Sequence, residues 1–520
     1  RWYLRFPSAL NVYFAICASK TLQKSSATQK ISVILPSVII AKFFCFIVFI
    51  HYKVTKNFAN YQIFNELYFI ELTLVYMKLR KIKWNNHPIL GNLELNFVNP
   101  LSNTPYDTIV IAGENGTGKT TILDTLYSFL SQGPITPFDY IEYQINDECY
   151  KASPIPNENI ESFFKRENLQ TNQVENIRAN RNYNPNHIRT DKKDPRHYGA
   201  AYTKARANYE PQPIRSVSTT TIDDDKYKES TETNATALKQ LIVDIQTQDN
   251  NDFALSGKRN PDTPITWQQF ENSSKMHRFS SAFDNFFDHV LTYDGISVIE
   301  GVHDVLFKKH NASISIDKLS TGESQIVFRG TYLLKNVAIL DGSIIFIDEP
   351  EMSMHPVWQQ KILSYYKGLF NNKAQLIIAT HSQGVISEAL RDTNSTKVIV
   401  LRCDNNGIIN YGDITTPLVL NNSTAEINYQ AFGIASTDYH NALYGYIEAE
   451  GWKTDYTNQQ GDKVIYTRLN KDGSTSLQTI SLSEKIRHII HHPENTKNQY
   501  TDEELKQSIE SMREYIIKHS

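Results

Sequence analysis

Cysteine is scarce in this chain of 520 residues: Cys17, Cys45, Cys149 and Cys403 are scattered and form no Cys-x-x-Cys pair. That excludes a disulfide framework and a thiolate zinc site, and it suits a reducing, cytoplasmic setting. Net charge is small as well, −3 with a pI near 6.6. A uniformly basic nucleic-acid binder is excluded, and any such contact must come from a local patch. No hydrophobic heptad is sustained, so long coiled-coil arms are not expected. No Asp-x-Asp pair occurs after His381. With 40% hydrophobic and 21% charged residues the chain suits a globular protein, and its length allows roughly three domains.

The stretch around which the rest is arranged is Gly113-Glu114-Asn115-Gly116-Thr117-Gly118-Lys119-Thr120. It fits the phosphate-loop pattern G-x-x-x-x-G-K-[ST] at every constrained position. Thr108 to Ala112 before it reads as a short buried strand. Ile122, Leu123, Leu126, Phe129 and Leu130 after it recur at helical spacing until Gly133-Pro134. Glycines let the backbone curl so that its N–H groups face one anion, and the helix start adds its positive dipole end. Gly113 to Thr121 are therefore the expected nucleotide-binding residues. Lys119 would reach the β- and γ-phosphates of ATP, and the Thr120 hydroxyl would hold Mg²⁺.

Five regions follow from the pattern. Residues 1–76 are unlike the rest, with near-continuous apolar sequence from Ile31 to Ile50 and a second run from Tyr61 to Tyr76. The first methionine is Met77, and we expect translation to start there, with a genuine N-terminal membrane anchor as the alternative. Residues 77–133 open with strands at Leu79–Ile82 and Ile89–Phe97 and carry the phosphate loop. Residues 134–294 are a polar insertion in which helix returns at Ala237–Ile245 and again from Trp267 to Leu291. Residues 295–420 resume the strand-rich pattern, and 421–520 form a small, mostly helical C-terminal domain with a hairpin from Val464 to Ile480. Within the insertion, the span 178–215 is rich in Arg and Lys and interleaved with Tyr183, Tyr198, Tyr202 and Tyr209. Such a mixture can neutralise phosphates and stack on bases; a solvated insertion is the simpler reading.

Ser343-Ile344-Ile345-Phe346-Ile347-Asp348-Glu349-Pro350-Glu351 reads as a buried parallel strand that delivers carboxylates at its C-terminal edge. Leu376 to Ser382 repeats the design with His381 at the strand tip. Phosphoryl transfer to water needs a held metal, an aimed water and stabilised charge. Asp348 is placed as a ligand to the Mg²⁺ shell, Glu349 as general base, and His381 as the group that bonds the γ-phosphate and steadies the water. Lys119, Glu349 and His381 are the expected catalytic set.

Gly113–Thr120, Leu319–Gln325, Asp348–Glu351 and Ala379–Ser382 together resemble the ABC-type ATPase head. That head is shared by transporters, the Rad50/SMC/RecF group and the overcoming-lysogenisation-defect class. The resemblance implies an α/β P-loop fold. It also implies that Ser320, Gly322 and Glu323 of the signature act in trans on ATP bound by the other protomer of a head-to-head homodimer. The Glu-Pro-Glu-x-x-x-His-Pro run from Glu349 to Pro356 is similar to the variant in bacterial stand-alone ATPases, often labelled AAA family, many tied to anti-phage defence. The Q-loop glutamine is Gln132 or Gln144. The Toprim nuclease of the overcoming-lysogenisation-defect proteins needs an Asp-x-Asp pair and is not expected in this chain.

In the C-terminal domain Arg487-His488-Ile489-Ile490-His491-His492 resembles the R-x4–6-H signature of the HEPN ribonucleases, which implies metal-free RNA cleavage by Arg487 and His492. The bland reading is a helix end whose cations suit the dipole. The expectation is a cytoplasmic ATPase that dimerises on ATP and controls a nuclease in phage defence, either this C-terminal domain or a separate partner. A RecF- or Rad50-type repair ATPase is the alternative. Nucleic acid would be met through 178–215, and a membrane only through residues 1–76.

Overall fold

Apolar runs closed by turn residues fold as strands buried on both faces, and three of them carry the centre of the molecule. The computed structural model describes residues 76–519 apart from 132–137, 156–161, 206–234, 260–264, 273, 311, 335–341, 371–372, 405, 415–422, 460–462 and 471. Gln132, Arg206, Tyr209, Arg215 and the segment before residue 76 therefore lie outside the described residues.

The strands of the head are β1 (Met77–Lys83), β2 (Glu94–Asn96), β3 (Thr108–Gly113), β4 (Tyr140–Ile145), β5 (Glu148–Pro154), β6 (Phe164–Asn168), β7 (Val174–Ile177) and β8 (Ala200–Thr203). They continue with β9 (Leu291–Ile299), β10 (Val302–Lys309), β11 (Ala312–Ser315), β12 (Ile344–Asp348), β13 (Gln375–Thr380), β14 (Thr396–Cys403) and β15 (Ile409–Ile414). The principal helices are α1 (Lys119–Leu130), α2 (Ala235–Arg259), α3 (His277–Phe286), α4 (Thr321–Leu334), α5 (Ile362–Leu369) and α6 (Gln383–Ala389). The C-terminal region adds α7 (Thr424–Phe432), α8 (Thr437–Ala449), α9 (Lys453–Gln459), the hairpin β16 (Lys463–Leu469) and β17 (Thr475–Ser481), α10 (Leu482–His491) and α11 (Asp502–His519).

The central sheet runs β15-β14-β3-β13-β12-β8, parallel throughout except for β15. Every residue of β3, β12 and β13 is buried. Alternation along these strands divides the interior in two. Ile109, Ile111, Ile344 and Phe346 face a core shared with α1 and the second sheet. Val110, Ala112, Ile345 and Ile347 face a core shared with α2, α3, α4 and α5. The second sheet is antiparallel, in the order β2-β1-β4-β5-β6-β7.

The fold is α/β, as expected, with three differences of detail. The expected strand Ile89–Phe97 shortens to Glu94–Asn96: Gly91 adopts φ +58° and closes a turn onto His87, although Leu90, Leu93, Leu95 and Phe97 are all buried. The insertion is not mainly helical. Residues 140–177 supply four strands to the antiparallel sheet and Ala200–Thr203 supplies β8 to the central one; among the described residues before α2, helix is confined to the short turns Pro185–Thr190 and Pro195–Tyr198. The helix expected from Trp267 to Leu291 breaks into Trp267–Glu271 and α3, and Leu291 already belongs to β9.

The C-terminal helices enclose their own core of Tyr439, Leu443, Ile447, Tyr456, Ile486, Ile509 and Met512. The first helical stretch of this mostly helical region is divided at Gly433, which takes φ +69° as the C-cap of α7. Thr501 and Glu504 form a capping box at the start of α11: each backbone N–H is met by the other's side chain, at 2.9 and 3.1 Å.

Candidate phosphate-binding site

Three glycines shape the loop between β3 and α1. Gly116 and Gly118 take φ +81° and +88°, and Gly118 is the N-cap of α1. A Cβ on Gly118 would come within 2.4 Å of the Leu90 side chain, and one on Gly113 within 2.5 Å of the Leu401 carbonyl oxygen. The loop is thus wedged between the turn after β1 and the end of β14, and only glycine fits these positions. The Thr117 hydroxyl donates to the Glu114 carbonyl at 2.9 Å and braces the curl.

Lys119 begins α1 and is buried. Its Nζ donates to the Gly113 and Glu114 carbonyls at 3.0 and 2.9 Å, so the ammonium lies back along the loop. Burial lowers its pKa to about 8, opposed by the charges of Glu349, Asp348 and Glu351. Thr120 donates its hydroxyl to Asp348 Oδ2 at 3.0 Å, joining α1 to the tip of β12. Burial pushes the Asp348 carboxyl above its ordinary range and the Glu349 charge adds to this, while the Thr120 bond and Arg329 oppose it. Two hard oxygens meeting beside carboxylates that a positive charge would relieve suit a divalent cation such as Mg²⁺.

Glu349 follows Asp348 with φ +45°, a left-handed backbone uncommon for a non-glycine residue. Its N–H donates to the Ala379 carbonyl at 2.9 Å, and its own carbonyl accepts from Arg329 at 3.0 Å. This holds the carboxylate 3.8 Å from His381 Nε2. Burial, together with the Lys119 charge, lowers the pKa of His381, with Glu349 opposing. Lys119, Thr120, Asp348, Glu349 and His381 thus come together from the start of α1 and the ends of β12 and β13, at the carboxyl edge of the parallel sheet where ligands of such sheets bind.

The signature residues open α4. Ser320 is exposed, its N–H met by Glu323 Oε2 at 2.9 Å, and Glu323 is held in turn by Lys309 at 2.6 Å. Gly322 lies under the turn after β12: a Cβ there would meet the Ser353 carbonyl at 2.7 Å.

Two contributors were not assigned a role from the sequence. Glu351 Oε1 accepts from the Thr380 hydroxyl and the His381 N–H, both at 2.7 Å, and so fastens the turn after β12 to the tip of β13. It stands inside the quoted Asp-Glu-Pro-Glu run, which was its only signal. The other is Arg329, a lone cation in an apolar helical stretch.

Elsewhere the structure places the remaining sequence candidates. Gln144 accepts from Arg80 at 2.7 Å within the antiparallel sheet. In the basic span Arg196 is buried, paired with Asp194 and bonded to the Ser162 and Ala179 carbonyls, and Tyr198 and Tyr202 are buried too. These three cannot serve a nucleic-acid surface; Arg178, Arg189, Lys192 and Lys193 are exposed. Arg487 lies over Tyr444 at 4.7 Å and pairs with Glu448 at 3.6 Å, while His492 caps the end of α10 and meets Glu494 at 3.1 Å. The two residues are therefore engaged with different partners.

Residues 109–387 match the family model described as "AAA domain, putative AbiEii toxin, Type IV TA system". The chain is similar to "Retron Ec83 probable ATPase" of Escherichia coli, 33% identical over 161 residues that make up 29% of this chain and 27% of that protein. It is also similar to "Retron Vc95 probable ATPase" of Vibrio cholerae serotype O1 biovar El Tor, 32% identical over 93 residues, 16% of this chain and 18% of that protein. The matched part thus spans about a quarter or less of these relatives. Among solved structures, an SMC head bound to the C-terminal winged-helix domain of ScpA aligns over 65% of this chain and 98% of its own, at 12% identity and TM-score 0.36. The SMC head domain from Thermotoga maritima aligns over 65% and 99%, at 13% identity and TM-score 0.30.

Proposed function

The chain belongs to the family described as "AAA domain, putative AbiEii toxin, Type IV TA system", and from that premise we propose an ATPase that closes into a homodimer on ATP and controls a nuclease in bacterial phage defence. The observation that carries the reading is the convergence of Lys119, Thr120, Asp348, Glu349 and His381 on one loop. Similarity to two retron probable ATPases supports the defence setting.

Backbone N–H groups of Gly116 to Thr120 and the start of α1 cradle the triphosphate. Lys119 exchanges the Gly113 and Glu114 carbonyls for the β- and γ-phosphates. Thr120 and Asp348 are the oxygens that would hold Mg²⁺, which when bound neutralises charge developing on the phosphates. Glu349 accepts the proton of the attacking water, and His381, at 3.8 Å, fixes the direction of that carboxylate and the γ-phosphate. Exposed Ser320, at the start of a helix of 14 residues, is available to a nucleotide held by a second copy.

The C-terminal bundle is the regulatory connection. Gln383 of α6, two residues after His381, donates to Thr424 of α7 at 3.3 Å, and Ala425 and Tyr429 of α7 pack on the bundle core. The deciding experiment measures ATP turnover and sedimentation of the full chain. Turnover should require Lys119, and Glu349→Gln with ATP should sediment as two chains. Turnover unchanged in Lys119→Ala would remove the proposal.

A further inference from the structure

The helix that starts at the signature carries a charge into the core. Arg329 follows Ile326-Val327-Phe328 and is 1% exposed. A buried guanidinium is costly unless its donors are met, and here only part of it is. Nη1 donates to the Asp348 and Glu349 carbonyls, each at 3.0 Å, while Nε and Nη2 are buried without a partner among the described residues. What the side chain grips is the Asp348–Glu349 peptide pair, just where Glu349 is held in a left-handed conformation.

One rigid element therefore ends on two different matters. Its first residues, after Ser320 and including Gly322, face outward or lie under the turn at Ser353. About two and a half turns further on, Arg329 sets the backbone that aims Asp348 and Glu349. A helix transmits displacement along its axis, and buried packing is bistable rather than elastic. The two unmet nitrogens, Nε and Nη2, give Arg329 donors with which to exchange one set of carbonyls for another without leaving the core.

Resting on the ATPase reading above, we propose that Arg329 is a positioning residue that couples the two nucleotide sites of the dimer. Engagement of Ser320 and Gly322 by the partner's ATP shifts α4, and Arg329 passes that shift to the carbonyls that orient Asp348 and Glu349 over the chain's own ATP. Each site then fires only when the other is filled, and turnover rises sigmoidally with ATP.

The test compares the full-length parent with Arg329→Met and Arg329→Lys, measuring turnover against ATP concentration, binding of a fluorescent ATP analogue and thermal melting. Both variants should bind the analogue within about twofold of the parent, because the phosphate loop is untouched. Turnover should fall about tenfold or more in Arg329→Met, as expected for a lost charge-assisted hydrogen bond. The Hill coefficient should drop from ~2 to ~1 in both. A folded Arg329→Met with the parental Hill coefficient overturns the coupling; should that variant melt early, Arg329→Lys decides by the same criterion. A hyperbolic parent also overturns it. A parent that hydrolyses no ATP brings down the ATPase reading itself, a distinct result.

Discussion

Glu349 combines a left-handed backbone with the proposed role of general base, and its neighbours explain how that backbone is held. Strain of about 1–3 kcal/mol persists only where neighbours over-determine it, and here Ala379 and Arg329 do so from opposite sides. Glu349→Gln keeps both backbone bonds and removes only the base. Turnover should therefore fall by about 10²- to 10⁴-fold while analogue binding persists, as single-turnover kinetics will show. Gly118→Ala meets two obstacles, a φ of +88° and the Leu90 side chain at 2.4 Å; titration with the fluorescent analogue should detect no binding. At this scale Lys119, Asp348, Glu349 and His381 were legible in the sequence because each stands at a strand or helix end marked by an apolar run. Glu351 and Arg329 were not, because their importance lies in carbonyls and N–H groups contributed by distant strands, which leave no imprint on spacing.

Among the elements, β3, β12 and β13 were recoverable since burial on both faces gives unbroken apolar runs. β4 was overlooked although it alternates plainly, Ile141, Tyr143 and Ile145 inward against Tyr140, Glu142 and Gln144; the polar composition around it masked a period of two. β8 offers four residues, Ala-Ala-Tyr-Thr, too few for any period to register. The C-terminal bundle carries an element-scale prediction. His440 of α8 is fully buried, with Nε2 at 3.0 Å from Ser508 Oγ of α11 and Nδ1 without a partner among the described residues. Burial lowers its pKa to about 4, and the nearby Arg487 charge acts in the same sense. The folded bundle thus resists a proton that the unfolded chain accepts near 6.5. Stability from this residue is whole above 6.5, declines as pH falls toward 4, and changes no further below. Thermal melts at pH 7 and pH 5 should show a larger loss for the parent than for His440→Gln.

For the whole molecule the proposal turns on association. Sedimentation of Glu349→Gln should move from one chain to two on adding ATP, and Ser320→Arg, which projects bulk from an exposed helix start, should hold it at one. If Arg487→Ala or His492→Ala abolishes the defence phenotype while ATP turnover is unchanged, nuclease chemistry belongs to α10; the separate partners of those two side chains lead us to expect no change. Within the basic span Arg196, Tyr198 and Tyr202 are scaffold, and neutralising the exposed Arg178, Arg189, Lys192 and Lys193 should leave turnover insensitive to added DNA. The strand β8 bears on how this head can be altered. Pairing alongside Ile344–Ile347, it covers what would otherwise be a bare flank of the central sheet. Trimming the chain back to a minimal nucleotide-binding module would strip that cover and leave a sticky margin beside Asp348 and Glu349, so a shortened head should precipitate instead of working alone.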